Sequence, residues 1–401
     1  MNTSPALLPE RFNFAQHLIE LNAPRSDKIA FIDDLGFLRY GELATQVQRM
    51  AGTLLAHGVR RDERVLLLMH DNNHWPVAFL GALYAGIVPV AVNTLLNLDD
   101  YTYMLRHSRA QAALVSAALL PVLRSAVAQA QHALRAVLVS GAATLQAGEH
   151  DIDKSLTDTD QAPAADTAAD DPGFWLYSSG STGKPKGAVH SHANLFHTAQ
   201  LYGNAVLQLR EADVCHSAAK LYFAYGLGNA LSFPLSVGAT TLLSAARPTP
   251  DAVFKLWRGE GSGQQAAVAS GARSPTQWRP TVFFGAPTGY AGMLASPDLP
   301  ARSAVSLRLC SSAGEALPAD IGRRFSEHFG CEVIDGIGST EMLHVYLSNR
   351  PGEVRYGSTG KPVPGYDIEL RGDDALPVSD GDVGDLYVRG PSAALMYWGQ
   401  R

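Results

Sequence analysis

The chain has 401 residues, 46% of them hydrophobic and 17% charged, enough to bury a large core in more than one domain. Its formal net charge of -6 gives no global basic field to draw it to nucleic acid, so any anion binding is local. Three cysteines, Cys215, Cys310 and Cys331, stand far apart without CxxC spacing, which argues against a disulfide framework or structural zinc site and fits a reducing cytoplasm.

The opening MNTSPALLPERFNF lacks a basic stretch followed by an apolar core, so no signal peptide is expected. From about Asp27 to Val139, short β-branched runs alternate with segments of helical period, the pattern of βαβ units on a parallel sheet. RVLLLM (Arg64 to Met69) predicts a strand, WPVAFLGALYAG a helix and IVPVAV the next strand. The longest apolar run, Val77 to Val92, contains Gly81, Gly86 and Pro89. It falls short of the ~18 to 20 residues of a spanning helix, and no membrane association is expected. An acidic stretch from Glu149 to Asp171, with Lys154 its only basic residue, predicts a solvated linker closing a first α/β subdomain over residues 1–170.

Alternation resumes with GFWLY and continues through ATTLLS, TVFFG, SLRLCSS and EVIDG, predicting a second parallel-sheet α/β subdomain over 171–350. Within it, the small and polar stretch between Arg258 and Trp278 predicts a mobile surface insertion. From 351 to 401, VPGYDIELRG and VGDLYVRGP predict a β-rich subdomain that has only begun when the sequence ends. No internal repeat is visible.

GFWLY runs directly into YSSGSTGKPKG, Tyr177 to Gly187. Gly180, Gly183 and Gly187 leave backbone N–H groups open to an anion, while Ser178, Ser179, Ser181 and Thr182 add hydroxyls. Lys184 and Lys186 add charge, and Pro185 stiffens the turn between them. A few charge-assisted hydrogen bonds of about 1.5 to 3 kcal/mol each suffice to hold a triphosphate. The bland alternative is a flexible Gly/Ser surface loop. A P-loop NTPase is disfavoured: two residues, not four, separate Gly180 from Gly183, and Pro185 replaces the hydroxyl that would hold magnesium. VIDGIGSTEM puts Glu341 after a turn at a strand end, where α/β sheets bind ligands. CSSAGEALP is a second strand-to-helix passage, of small residues that let a flat ring approach the backbone.

YSSGSTGKPKG, DGIGSTE and YGSTGKPVPGYDIEL…GDLYVRGPSAALMYW occur in this order in the adenylate-forming superfamily of acyl- and aryl-CoA synthetases, which the chain resembles over essentially its whole length. KLYFAYGLGNAL and GIGSTEMLH resemble the benzoate-CoA ligases within it. The resemblance implies that ATP and a carboxylate form an acyl-adenylate, which coenzyme A converts to a thioester, with Mg2+ assisting. It implies that Ser178 to Lys186 hold the phosphates, with Thr182 and Lys186 the foremost side chains. Gly314 and Glu315 would flank adenine on one side, Asp335 and Gly336 on the other; Thr340 would contact the α-phosphate and Glu341 carry Mg2+. Phe223, Ala224, Tyr225 and Gly226 would line the acyl pocket opposite Ile337 and Gly338, with His344 at the carboxylate or the pocket floor.

Without the resemblance, the LYFAY aromatics predict core rather than pocket. His190 and His192 have HxH spacing but no evident third ligand, so a structural pair is expected rather than a metal site. The family continues beyond MYW into a ribose-binding aspartate and a small lid domain carrying a lysine. The expectation is therefore an N-terminal portion without the lid, impaired most in thioester formation. Hydroxybenzoate, cinnamate-like and short aliphatic acids remain alternative substrates, a non-turnover ATP- or aryl-acid-binding fragment an alternative activity, and a homodimer a possible assembly.

Overall fold

The structure, a computed structural model, describes residues 8–178, 183–271 and 275–400. Among these, most strands belong to two large sheets. The eight-stranded sheet runs in the order Met396–Tyr397, Lys186–Ser191, Pro172–Ser178, Val88–Ala91, Arg64–Leu68, Ala112–Ser116, Ala136–Ser140 and Glu149–Asp151. Pairing is parallel from Pro172–Ser178 onward and antiparallel at the other edge. The nine-stranded sheet runs Lys361–Pro362, Val345–Ser348, Glu332–Gly338, Leu309–Ser312, Val282–Gly285, Val214–Ser217, Thr240–Leu242, Ile29–Ile32 and Phe37–Arg39. Its six central strands are parallel and its edges antiparallel.

These strands are legible as unbroken apolar runs because helices cover both sheet faces: Val65 to Leu68 are all fully buried. The helix His74–Tyr84 is apolar all round and buried almost throughout, as a core helix must be. One hydrophobic cluster joins Val65 and Leu67 of the first sheet, Phe31 of the second, and helices Phe14–Asn22, Tyr40–Ala56 and His74–Tyr84 between them. The two sheets thus share a core. No helix among the described residues is long and apolar enough to cross a membrane.

Four expectations need correction. The sheets interleave along the chain instead of dividing at residue 170: Ile29–Ile32 joins the second sheet, and Pro172–Ser178 the first. The acidic stretch is folded structure, since Glu149–Asp151 pairs with Ala136–Ser140 and the helix Ile152–Asp158 buries Ile152 and Leu156. Ala162 and Ala165 then donate backbone hydrogen bonds to Gln48 and Tyr84, so the stretch is strapped to the core. The polar insertion contains the helix Ser262–Ala269, anchored where Gln264 Nε2 donates to Leu256 O at 3.0 Å and Trp278 O at 2.7 Å. The β-type segment after 350 does not stand alone. Among its described strands, Asp367–Arg371 and Asp385–Arg389 pair as a separate hairpin, Lys361–Pro362 joins the second sheet, and Met396–Tyr397 returns to the first.

Candidate active site

A cavity of about 970 Å³ opens where the carboxyl ends of the parallel strands of both sheets meet. His70, Thr94 and Leu95 follow strands of the first sheet; Ala218, Ala286, Ala313, Gly314, Ser339 and Thr340 follow or end strands of the second. This is the position at which open α/β sheets bind ligands. Of the residues expected at the nucleotide and acyl positions, Phe223, Ala224, Tyr225, Gly314, Gly338, Thr340 and His344 line it.

Gly226, Glu315, Asp335, Gly336 and Ile337 do not line it, nor do Ser178, Gly183, Lys184, Lys186 and Glu341 of the phosphate and metal end. Gly226 faces its own chain, where an added Cβ would sit 2.0 Å from Lys220 O. Ile337 precedes the lining Gly338 at an irregularity in the strand register and is 37% exposed. Asp335 is buried beside Ser312, its partner in strand register. Burial pushes its pKa up to about 6 against the Ser312 hydroxyl and the Leu317 and Gly336 amides.

The cavity wall around Tyr225 is aromatic and closely braced. Tyr225 Oη donates to Ser311 Oγ at 2.9 Å, Tyr202 Oη lies 3.2 Å from the same oxygen, and Tyr290 Oη donates to Ser311 O at 2.7 Å. His344 packs among Tyr202, Tyr225 and Phe233, with ring centroids 5.2, 5.3 and 4.5 Å away. Its Nε2 faces the Tyr225 carbonyl at 3.3 Å. Burial lowers the His344 pKa to about 3, only partly offset by that carbonyl, so the ring is neutral at physiological pH. A neutral imidazole whose N–H is already given to a carbonyl cannot supply a cation to a carboxylate. Of the two positions expected for His344, the carboxylate and the pocket floor, this neutral ring among aromatics fits the second.

Beyond Thr340 the surroundings become polar. His190 accepts from Asn194 Nδ2 at Nδ1 (2.9 Å), which assigns the proton to Nε2 for donation to Thr340 O at 2.8 Å. Burial holds the His190 pKa down near 4. His192 Nδ1 accepts from the Phe14 amide at 3.2 Å, so both histidines of the HxH pair make structural hydrogen bonds. Asn194 also donates to the Ser392 and Ala393 carbonyls, each at 3.1 Å, and Ala394 N donates to Glu341 O at 2.6 Å. The strand carrying Lys186, the turn carrying Thr340 and Glu341, and the segment 392–397 are thereby tied together.

Ser178 ends its strand directly opposite Lys186. Ser179, Gly180, Ser181 and Thr182 lie outside the described residues. Gly183 has φ +85°, a left-handed conformation that glycine adopts without strain. Lys184 Nζ lies 5.5 Å from the Tyr103 ring centroid and Lys186 Nζ 5.3 Å from that of Tyr397. Tyr397 Oη donates to Glu341 Oε1 at 2.6 Å. Burial tends to raise the Glu341 pKa, but hydrogen bonds from Tyr397, its own amide, Ser178 and Ser339 outweigh it, leaving the carboxyl below its ordinary value and ionised.

No group of three or more His, Cys, Asp or Glu side chains able to hold a metal occurs among the described residues. An ionised, half-buried carboxylate with one oxygen engaged by Tyr397 still suits Mg2+, which keeps its waters and takes phosphate oxygens together with one or two carboxylates. Several lining residues escaped sequence reasoning: Thr288, Gly289, Gly292 and Met293 of the helix Pro287–Ala295, Lys220, and Arg247. The signal for the first group was present, since TVFFGAP is a strand followed by a Pro-started helix.

Comparison with known proteins agrees with this geometry. The chain is 48% identical over 403 residues to the benzoate–CoA ligase of Thauera aromatica, covering 99% of this chain and 72% of the relative. It is 42% identical to the 4-hydroxybenzoate–CoA/benzoate–CoA ligase of Rhodopseudomonas palustris, covering 97% and 69%. The crystal structure of a benzoate CoA ligase from Burkholderia xenovorans LB400 superposes with a TM-score of 0.88 at 52% identity, covering 97% of this chain and 74% of that one. The model of the AMP-binding enzyme family matches residues 20–398. With ordered motifs, two sheets meeting at one cavity and a family match over nearly its whole length, the chain belongs to the AMP-binding, adenylate-forming enzymes.

Proposed function

We propose that this protein activates an aromatic carboxylic acid, benzoate foremost, by adenylation with ATP for transfer to coenzyme A. The observation that carries the reading is the cavity itself: an aromatic, uncharged wall of Phe223, Tyr225 and His344 shares one space with Gly314 and Thr340. A flat apolar ring has its slot on one side, and the atoms that would handle a nucleotide stand on the other.

In this reading Ala224, Tyr225, Gly338 and His344 enclose the ring. Gly314 lies on the adenine side and Thr340 meets the α-phosphate, while Glu315, Asp335 and Gly336, which stand outside the cavity, are given no contact with the nucleotide. Ser178, Gly183, Lys184 and Lys186, with Ser179 to Thr182, receive the departing phosphates, and Glu341 holds Mg2+. Mg2+ held there by Glu341 would supply positive charge to the phosphate oxygens. Lys186 supplies further positive charge to the same oxygens. His344, neutral and without a charge of its own to solvate, leaves the slot apolar and helps exclude water from the mixed anhydride.

The test is acid-dependent exchange of labelled pyrophosphate into ATP, which reports adenylation without coenzyme A. Benzoate should support exchange above the acid-free rate, with hydroxybenzoates weaker. Exchange with short aliphatic acids alone would overturn the aromatic assignment; none with any acid would overturn the adenylation reading. One hydroxyl or methylene changes selectivity in such a pocket by only about 1 to 3 kcal/mol, so the ranking among aryl acids has to be measured.

A further inference from the structure

The family motifs do not explain why the last strand of the first sheet returns to the phosphate-side strand. Met396–Tyr397 pairs antiparallel with Lys186–Ser191, Met396 opposite Val189 and Tyr397 opposite Ala188. The Leu395 amide donates to Val189 O and the Trp398 amide to Gly187 O, both at 2.8 Å. Trp398 packs on Trp175 with centroids 4.6 Å apart, and its Nε1 donates to His107 O at 3.1 Å. Tyr397 is thus held from both flanks, and from this fixed position it meets two side chains of opposite charge. Its hydroxyl donates to Glu341 Oε1 at 2.6 Å, and its ring face lies 5.3 Å from Lys186 Nζ.

We propose that Tyr397 is a positioning residue for the metal and phosphate end of the site, its hydroxyl orienting the Glu341 carboxylate and its ring seating the Lys186 ammonium. The inference rests on the reading of Glu341 as the metal carboxylate. The two contacts use different parts of one side chain. A phenol bonded to Oε1 fixes the plane of the carboxylate, so the other oxygen is aimed before the metal arrives, as outer-shell donors do in metal sites generally. The ring face attracts the ammonium through its quadrupole and limits where Lys186 can reach.

The two contacts can be separated by substitution. Tyr397→Phe removes the hydroxyl and keeps the ring; Tyr397→Leu removes both. The probes are Mn2+, followed by electron paramagnetic resonance as a stand-in for Mg2+, and a non-hydrolysable ATP analogue titrated with and without metal. Tyr397→Phe should weaken Mn2+ binding in the presence of the analogue by about tenfold while leaving metal-free analogue affinity and benzoate affinity within twofold. Tyr397→Leu should weaken the metal-free analogue as well, several-fold, because Lys186 loses its seat. Glu341→Gln should cost at least as much metal affinity as Tyr397→Phe, and adding Tyr397→Phe to it should cost little more. Mn2+ affinity unchanged in Tyr397→Phe but lost in Glu341→Gln would overturn the role of Tyr397 alone. Mn2+ affinity unchanged in Glu341→Gln would overturn the metal assignment beneath it. Equal losses for metal, nucleotide and benzoate in Tyr397→Phe would mean that the residue merely holds the fold.

Discussion

Replacing Ser311 with alanine removes one oxygen and strands two phenols. Tyr225 Oη and Tyr202 Oη converge on Ser311 Oγ at 2.9 and 3.2 Å, whereas Tyr290 uses the main-chain carbonyl and is untouched by the substitution. Ser311 is fully buried and Tyr202 nearly so, so water cannot easily replace the lost partner. A buried hydroxyl left without a partner costs about 1 to 3 kcal/mol, which gives roughly 2 to 6 kcal/mol for the pair. Ser348 near Tyr202 and Asn229 near Tyr225, each close enough to act as a second partner, place the expectation in the lower half of that range. Tyr225→Phe, by contrast, leaves Ser311 bonded to Tyr202 and should cost about 0.5 to 1.5 kcal/mol.

The decisive comparison is Ser311→Ala in a Tyr202→Phe/Tyr225→Phe background, where no stranded hydroxyl remains and the substitution should be nearly neutral. Equilibrium urea denaturation across this cycle measures the coupling. Additivity within about 0.5 kcal/mol would refute the account of Ser311 as a shared acceptor. Because the Tyr225 ring lines the cavity, Ser311→Ala should also raise the KM for benzoate while leaving that for ATP nearly unchanged. A parallel rise in both would mean that the loss is global.

Gly228→Ala would place a methyl group 2.5 Å from His344 Cδ2 and 2.8 Å from Phe233 Cζ, forcing the imidazole to move. We expect a cost of about 1 to 3 kcal/mol and weaker benzoate binding by calorimetry, with ATP binding retained. Acid should destabilise the protein steeply. Burial foremost lowers the pKa values of His190 and His192 to about 4 and those of His216 and His344 to about 3. Above about pH 7 both folded and unfolded forms are neutral at these sites, and they add no pH dependence. Below about 6.5 the unfolded chain takes up protons that the folded one refuses, so stability falls by roughly 1.4 kcal/mol per pH unit per histidine until the folded pKa is reached. Urea midpoints measured from pH 8 to 4.5 check this; a flat profile would contradict the buried neutral histidines. All three cysteines are buried, so a thiol reagent should label none in the native protein and all three in denaturant.

What the sequence made legible was whatever depends on local pattern. Continuous apolar runs such as Val65 to Leu68 become strands because both faces are covered, and the glycine and hydroxyl cluster after GFWLY marks the strand end that a ligand would approach. The acidic stretch misled because the anchors of its helix are only Ile152 and Leu156, too sparse to show against a polar background. Gln264 misled in the same way, for a buried amide that satisfies two main-chain carbonyls looks like surface polarity in a sequence. His344 sits beside Glu341 in the chain and invites a charged role, yet three aromatic rings around it keep the imidazole neutral. Tyr397 was out of reach of any pattern, because its partners Lys186 and Glu341 come to it only through the return of the final strand to the first sheet.

The arrangement also answers a conflict built into the proposed chemistry. A ring needs a dry apolar slot, triphosphate needs donors and cations, and the two substrates must touch. One continuous surface would compromise both; two sheets sharing a core let each substrate have its own wall. The aromatic wall hangs on the second sheet through Ser311, while the cationic side belongs to the hairpin Pro172–Ser178 and Lys186–Ser191 of the first. The join falls at Thr340: its carbonyl is held by His190 from the first sheet, while its own chain continues the strand Glu332–Gly338 of the second. His190 suits that place because, neutral and with Asn194 donating to Nδ1, it has a single proton to give and a single direction in which to give it. A charged residue there would bring a further charge next to Glu341, and an aliphatic one would leave the Thr340 carbonyl without this donor. The neutrality of the buried histidine is therefore part of how the aryl acid and the α-phosphate would be brought into register.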